Sequence, residues 1–148
     1  MNRAALAFVL VLAAAPGIEA QSHATFRVHA EAKESHGPVF STTEQLFGRT
    51  VIFEKMATIS EQDVAHLKTY RAADGSYGAL FELNEHGKLA LDTVSIDRRG
   101  GRLFVFVNGR AVTELQIDRR VSDGKIYLSA GLTAKDIQLL RKDWPPRK

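Results

Sequence analysis

The sequence predicts an α+β domain, a two-layer sandwich of a mostly antiparallel sheet with two helices packed on it. Three observations support this class. Several short segments alternate between apolar and polar residues, as half-buried strands do. Turn dipeptides such as Asn108-Gly109 separate neighbouring segments, which is typical of hairpins. Two segments begin with helix-capping residues and continue with apolar residues at helical spacing.

Residues 1–20 have the pattern of a secretory signal peptide. Arg3 precedes a continuous apolar stretch, Pro16-Gly17 breaks any helix, and Ala20 is the small residue that cleavage requires. The stretch is short for a membrane span, so an uncleaved anchor is the less favoured alternative. We expect cleavage near Ala20, a mature chain without a transmembrane segment, and a periplasmic or secreted location.

The sequence of residues 21–58 predicts N-terminal strands. These strands either belong to the same domain as residues 59–144 or are not assigned to any domain. Residues 25–32 alternate, with Phe26 on the apolar face and His29 on the polar, solvent-exposed face. Residues 50–56 predict a second strand, while residues 40–48 are ambiguous.

Residues 59–144 begin with a helix-start signature in which Ser60 is the cap and Asp63 is the third helical residue. Residues 65–70 either continue this helix or form a strand, and residues 77–83 predict a strand. A helix capped by Asn84 then extends to about Arg98. Its predicted apolar stripe comprises Leu89, Ala90, Val94 and Ile96.

The last third of the chain predicts a hairpin, a strand and a final helix. Residues 103–107 are all apolar, which is typical of a strand buried on both faces. Asn108-Gly109 predicts a type I′ turn into a return strand at 111–117. A strand over 125–129 precedes a helix that Thr133 caps, and residues 145–148 form a tail.

The order of these motifs resembles the head subdomain of the first periplasmic domain of SecD/SecDF. The matching pieces are ISEQDV, GALFELNEHG, GRLFVFVNGRAV and KIYLSAGLTAKDIQLLR, within residues 59–141. SecD also has transmembrane helices, which the mature chain lacks. The resemblance therefore implies only the role of the head: an envelope module that contacts exported or unfolded polypeptide, with the Sec machinery among its partners.

Composition and motifs give no sign of catalysis. The 148 residues include no cysteine, which excludes a disulfide framework, a Cys-ligated zinc site and a thiol nucleophile. The five histidines have no metal-binding spacing, and no nucleophile elbow or phosphate loop occurs. We expect no enzyme activity, cofactor or metal. A small hydrolase that assembles His66, His86 and nearby acids is the less favoured alternative.

Six arginines near turns are the candidate partner-binding residues. If their turns lie at one end of the sheet, they form a basic rim for a polyanionic glycan or lipid surface; a solubilising surface is the simpler interpretation. The formal net charge of +3 is too small to indicate nucleic-acid binding. The leading hypothesis is a protein-binding module that adds an extended polypeptide to a free sheet edge. The six residues are Arg98, Arg99, Arg102, Arg110, Arg119 and Arg120.

Overall fold

A computed structural model describes residues 23–147, so the predicted signal peptide lies outside the described residues. No helix in this range is both long enough and apolar enough to cross a bilayer. One short 3-10 turn, Glu61–Asp63, lies among nine strands and two helices. In chain order these are β1 (Phe26–Ala30), β2 (Ser41–Leu46), β3 (Arg49–Glu54), β4 (Ile59–Ser60), β5 (Val64–Arg71), β6 (Tyr77–Leu83), α1 (Glu85–Asp97), β7 (Arg102–Val107), β8 (Arg110–Gln116), β9 (Lys125–Leu132) and α2 (Ala134–Asp143).

The described strands form two sheets and a separate hairpin. One sheet has the order β4-β1-β7-β8, the other has the order β5-β6-β9, and β2 pairs only with β3. Every pairing among them is antiparallel. The α+β class is therefore confirmed, while the two-layer arrangement stays a prediction. Residues 65–70, which the sequence left open, belong to strand β5.

Both sheets and both helices contribute to one main core. Phe26 of β1 stacks on Phe81 of β6 with ring centroids 4.0 Å apart, and both side chains are fully buried. Leu91 of α1 and Leu140 of α2 reach the same cluster. Burial of a side chain of this size contributes roughly 1.5–3 kcal/mol, so these contacts hold the two sheets together.

Strand β7 is buried on both faces, as its continuous apolar sequence predicts. Leu103 and Val105 face the main core, whereas Phe104 belongs to a second, smaller cluster with Val51 and Phe53 of β3. The β2–β3 hairpin therefore covers the outer face of the four-stranded sheet. The ambiguous segment at 40–48 supplies β2 of this hairpin.

The hairpin also corrects the prediction that His29 is solvent-exposed. Its imidazole is partly buried, with ring centroids 5.3 Å from Phe53 and 5.4 Å from Phe106. Its Nδ1 lies 2.8 Å from the backbone oxygen of Glu54. The alternation of β1 was interpreted correctly, but the polar face of this strand lies under a second layer instead of in solvent.

The predicted apolar stripe of α1 is wrong at two positions. Leu89 and Ile96 are 66% and 54% exposed, whereas Leu91 and Val94 face the core. The close approach at Gly87 explains this rotation, since a Cβ there would lie 2.7 Å from the Cβ of Asp63. The helix turns this glycine toward the 3-10 turn and thereby directs the opposite face outward.

Two hairpins close through two-residue turns whose central residues have positive φ, as a type I′ turn requires. Asn108 and Gly109, with φ of 52° and 78°, form the predicted turn between β7 and β8. Phe47 and Gly48, with φ of 52° and 75°, form the other between β2 and β3. Asn tolerates this conformation, whereas a bulky phenylalanine is strained in it.

We expect Phe47→Asn to raise the free energy of unfolding by about 0.5–1 kcal/mol, because it relieves left-handed backbone strain. Urea denaturation monitored by circular dichroism measures the change. Phe47→Ala is the matched control: it removes the same ring, but alanine lacks the tolerance of asparagine for positive φ, so no gain is expected. A loss of stability in Phe47→Asn would mean that the ring contacts outweigh the strain.

Candidate functional site

Strands β8 and β9 border a cleft with their free edges. Each pairs on one side only, β8 with β7 and β9 with β6, and each is the last strand of its sheet. They are consecutive along the chain and are joined by residues 117–124. The cavity between them has a volume of about 450 Å³. Unpaired strand edges carry free N–H and C=O groups, so an extended chain in this cleft can pair with the edge of either strand.

The two strands touch at one end of the cleft and separate toward the other. A Cβ on Gly131 would lie 3.3 Å from Cγ1 of Val112, so the glycine permits close contact between β8 and β9. Its φ of +95° also suits glycine. Arg110 Nη2 donates a 3.1 Å hydrogen bond to the Gly131 oxygen and reinforces this closed end.

The closed end is held by the buried carboxylate of Asp136. It accepts hydrogen bonds from the backbone and hydroxyl of Thr133, the cap of α2, at 2.8 and 2.9 Å. It also accepts from Asn108 Nδ2 at 2.9 Å and Arg110 Nη2 at 2.7 Å. Burial alone would raise the pKa of Asp136, but these hydrogen bonds outweigh it and hold that pKa below its ordinary value.

The open end is anchored to α1 through the connecting loop. Arg120 donates two hydrogen bonds to Asp92, at 2.5 and 2.7 Å, and the backbone N–H of Val121 donates to Ser95 Oγ at 2.8 Å. The hydrogen bond from Arg120 lowers the pKa of the Asp92 carboxyl. Because the loop is tied down on α1, the two strands are kept apart at this end.

The cleft has an apolar floor and a rim of mixed charge. The floor includes the buried side chains of Leu91, Leu103 and Ile126. The rim carries two acids and two bases, so it favours neither sign of charge. The rim residues are Asp118, Arg119, Asp123 and Lys125.

The opposite edge of the β5-β6-β9 sheet is covered by the end of the chain. Trp144 Nε1 donates a 3.1 Å hydrogen bond to the Val64 oxygen, and Arg141 donates to Thr69 Oγ1 at 2.6 and 2.9 Å. Arg147 contacts His66 farther along the same strand. The C-terminal residues therefore shield the outer edge of β5, the strand at the side of this sheet opposite to β9.

The six predicted arginines do not form one rim. Five lie at the end of the β7–β8 hairpin where Arg102 faces Gln116, whereas Arg110 lies at the opposite end beside the turn. Arg98, Arg110 and Arg120 pair with Glu54, Asp136 and Asp92, respectively. A role of these residues in partner binding stays a prediction. Within residues 23–147, no ion pair involves Arg99, Arg102 or Arg119.

The histidines of the dispersed-site alternative are not brought together. His66 lies on β5 and lines the cavity beside the C-terminal residues, whereas His86 lies in the first turn of α1 and lines a different groove. His86 Nδ1 is 2.6 Å from Asp63 Oδ1, a carboxylate that also accepts from the Ser60 backbone. Among residues 23–147, no group of three or more His, Asp or Glu side chains could hold a metal ion.

Sequence reasoning identified the elements beside the cleft but missed the cleft itself. Leu115, Ile126 and Tyr127 were assigned only to strands, and the break in pairing between β8 and β9 leaves no local motif. A signal was present in Gly131, two residues beyond the strand predicted at 125–129: the structure extends β9 through it, and a glycine within a strand often marks close backbone approach.

Comparison with solved structures identifies the fold. Most of this chain shares its fold with part of SecDF. One such structure, of a membrane component SecDF that enhances protein export, matches with a TM-score of 0.57 and 15% identity over 83% of this chain and 64% of that chain. SecDF in its Super-membrane-facing form matches with a TM-score of 0.58 and 15% identity, over 82% of this chain and 19% of that chain.

At this level of identity, the likeness establishes the fold alone. The chain spans less than two thirds of either matched SecDF chain. No family model and no curated protein matches the sequence. The sequence-based resemblance to SecDF is thus confirmed for the fold, while the narrower assignment to the head subdomain stays a prediction.

We expect Asp136→Asn to lower the free energy of unfolding at pH 7 by about 1.5–3 kcal/mol, because charged hydrogen bonds at the closed end are lost. The folded-state pKa is depressed, so this stabilisation is complete above the unfolded pKa of about 3.9 and disappears as pH falls through the folded value. Urea denaturation of the wild type and of Asp136→Asn from pH 7 to pH 2 measures the difference in stability between them. A stability difference that does not narrow in acid would contradict this role.

Proposed function

We propose that this chain is an exported envelope module that binds extended polypeptide in the β8–β9 cleft and serves in protein export without catalysis. The observation that carries the proposal is the pair of unpaired strand edges on either side of an apolar floor. A bound segment would pair with one of these edges through its backbone. We assign this role to the exported form, in the periplasm or outside the cell.

Backbone pairing suits a ligand whose sequence varies. Main-chain hydrogen bonds supply affinity whatever the side chains are, and alternate side chains of the bound strand would point toward the floor. The partly buried Leu115, which lines the same cavity, offers it an apolar contact. Because the rim contains equal numbers of acids and bases, it would not reject segments of either charge.

The likeness to SecDF supports a role in export. SecDF enhances protein export. Under this proposal, a module of similar fold binds polypeptide during export. The sequence pattern of residues 1–20 adds the expectation of secretion. Under this proposal residues 59–144 correspond to the head subdomain, and the partners are exported chains and the Sec machinery.

A second candidate rests on the arginines at the open end of the cleft. Arg99 and Arg119 are exposed, and neither takes part in an ion pair within the described residues. They would bind a polyanionic glycan or lipid headgroups through charge alone. Such binding would weaken steeply with salt, whereas backbone pairing would not.

We expect the protein to bind a fluorescently labelled, unstructured peptide, with anisotropy as the measurement. N-methylation of alternate peptide residues removes backbone donors and should weaken binding about tenfold or more, which corresponds to about 1.4 kcal/mol. Leu115→Glu should weaken binding similarly, because it places a charge beside the apolar floor. Ile52→Glu is the matched control on the distant hairpin and should bind normally.

The outcomes separate the two candidates. If N-methylation of the peptide does not change its affinity, but the affinity falls steeply between low and high salt, the arginine surface replaces the cleft as the binding site. Arg99→Ala and Arg119→Ala would then each reduce the affinity. Absence of peptide binding by the folded protein would refute the proposal. Circular dichroism of each variant verifies that it is folded.

A further inference from the structure

The face of the β5-β6-β9 sheet that is turned away from the main core adjoins the cleft along β9. Ile126 and Leu128 are buried in that core, whereas Lys125 and Tyr127 alternate with them and are exposed. Lys125 and Tyr127 also line the cleft cavity. A strand paired with the β9 edge would therefore have one set of side chains inside the cleft and the other set beside Lys125 and Tyr127.

The backbone of Tyr127 faces the free edge of β9. In an antiparallel pair, residues that bond to the neighbouring strand alternate with residues whose N–H and C=O point away from it. The Leu83 N–H donates to the Gly124 oxygen at 2.8 Å, so Gly124 and every second residue after it face β6. The Lys125 N–H is already hydrogen-bonded to Asp123 Oδ1 at 3.1 Å. Tyr127 is therefore the residue that offers both a donor and an acceptor to a strand in the cleft.

The ring of Tyr127 is 58% exposed and packs against a second tyrosine. Its centroid lies 5.5 Å from that of Tyr70, and the two rings are nearly parallel at 14°. Tyr70 is itself fixed on the sheet, because its hydroxyl donates to the Leu128 oxygen and its ring lies over Gly78. A Cβ at Gly78 would lie 2.3 Å from the Tyr70 ring. This support holds the Tyr127 ring ready for contact with a side chain of a bound strand.

Lys125 supplies the charge beside this ring. Glu82 lies opposite it on β6, but the Glu82 carboxylate pairs with Lys68 of β5 at 3.7 Å. Within residues 23–147, no ion pair involves Lys125. Its ammonium is therefore available to a carboxylate of a strand on the cleft side. The rim is balanced as a whole, but this one position favours an acid.

We infer that the β9 edge selects extended segments in which an acidic residue lies two positions from an aromatic residue. The inference rests on the proposed function, since it concerns the strand that binds in the cleft. Side chains two positions apart share one face of a strand, as Lys125 and Tyr127 do on β9. The acid lies opposite Lys125 and the aromatic ring opposite Tyr127, because both kinds of cross-strand pair stabilise a sheet. The residue between them points into the cleft beside Leu115 and is apolar.

Three labelled peptides of alternating sequence test this preference by fluorescence anisotropy. The first contains Glu-Val-Phe-Val-Glu, which has the same order in both directions and therefore suits either orientation of the bound strand. The second has lysine in place of both glutamates, and the third has threonine in place of the phenylalanine. The first peptide should bind about twofold to fivefold more tightly than either of the others, the range expected for cross-strand pairs.

Substitutions on β9 assign the preference to its two residues. Lys125→Glu should reverse the order of the glutamate and lysine peptides. Tyr127→Ala should remove the difference between the phenylalanine and threonine peptides, whereas Tyr127→Phe should retain it. Lys55→Glu on the distant β2–β3 hairpin is the matched control, because it makes the same change in net charge and should leave the order of affinities unchanged. Circular dichroism verifies that each variant is folded.

The outcomes distinguish this inference from the proposed function. Equal affinity for the three peptides, or an order that Lys125→Glu leaves unchanged, would overturn the selection by β9. If the peptides still bind and their affinity still depends on backbone N–H groups, polypeptide binding in the cleft stands without that selection. If none of the three peptides binds, the proposed function fails and the inference fails with it.

Discussion

The stacking of Phe26 on Phe81 is the contact on which the architecture depends. Among residues 23–147, no strand of the four-stranded sheet pairs with a strand of the three-stranded sheet. Side-chain packing therefore sets their relative position, together with side-chain hydrogen bonds such as that from Arg110 to the Gly131 oxygen. Ring centroids 4.0 Å apart leave little freedom in that position. Strands β8 and β9 are the last strands of these two sheets, and the angle between the sheets therefore determines how far their edges separate. The cleft is a consequence of the core.

Local sequence signals predicted most of the elements, because the physics behind them is local. The Asn108-Gly109 turn requires two residues that accept positive φ, and the cap at Thr133 requires a hydroxyl with Asp136 three residues later. The continuous apolar run of β7 indicated burial on both faces. Each of these features is determined within a few residues, so one sequence suffices to find it.

The features that were missed depend on contacts between distant segments. Leu89 and Ile96 have the spacing of a core-facing stripe, and only the approach of Gly87 to Asp63 shows which face of α1 turns inward. His29 alternates correctly, but the hairpin that covers it is contributed by later residues. The cleft depends on a strand pairing that does not form. Gly131 is a signal for the close approach of β8 and β9 but not for the gap between them.

The central position of β1 has a consequence for how the chain folds. β1 pairs with β7 in a register that runs from Phe26 opposite Val107 to Ala30 opposite Leu103. The first strand therefore cannot form this pairing until a strand late in the sequence is available. Such long-range pairing slows folding relative to proteins rich in local contacts. A chain that crosses a membrane from its N-terminus emerges with β1 unpaired and cannot complete its core until β7 has followed. Compaction of the core is therefore delayed until β7 is available to pair with β1.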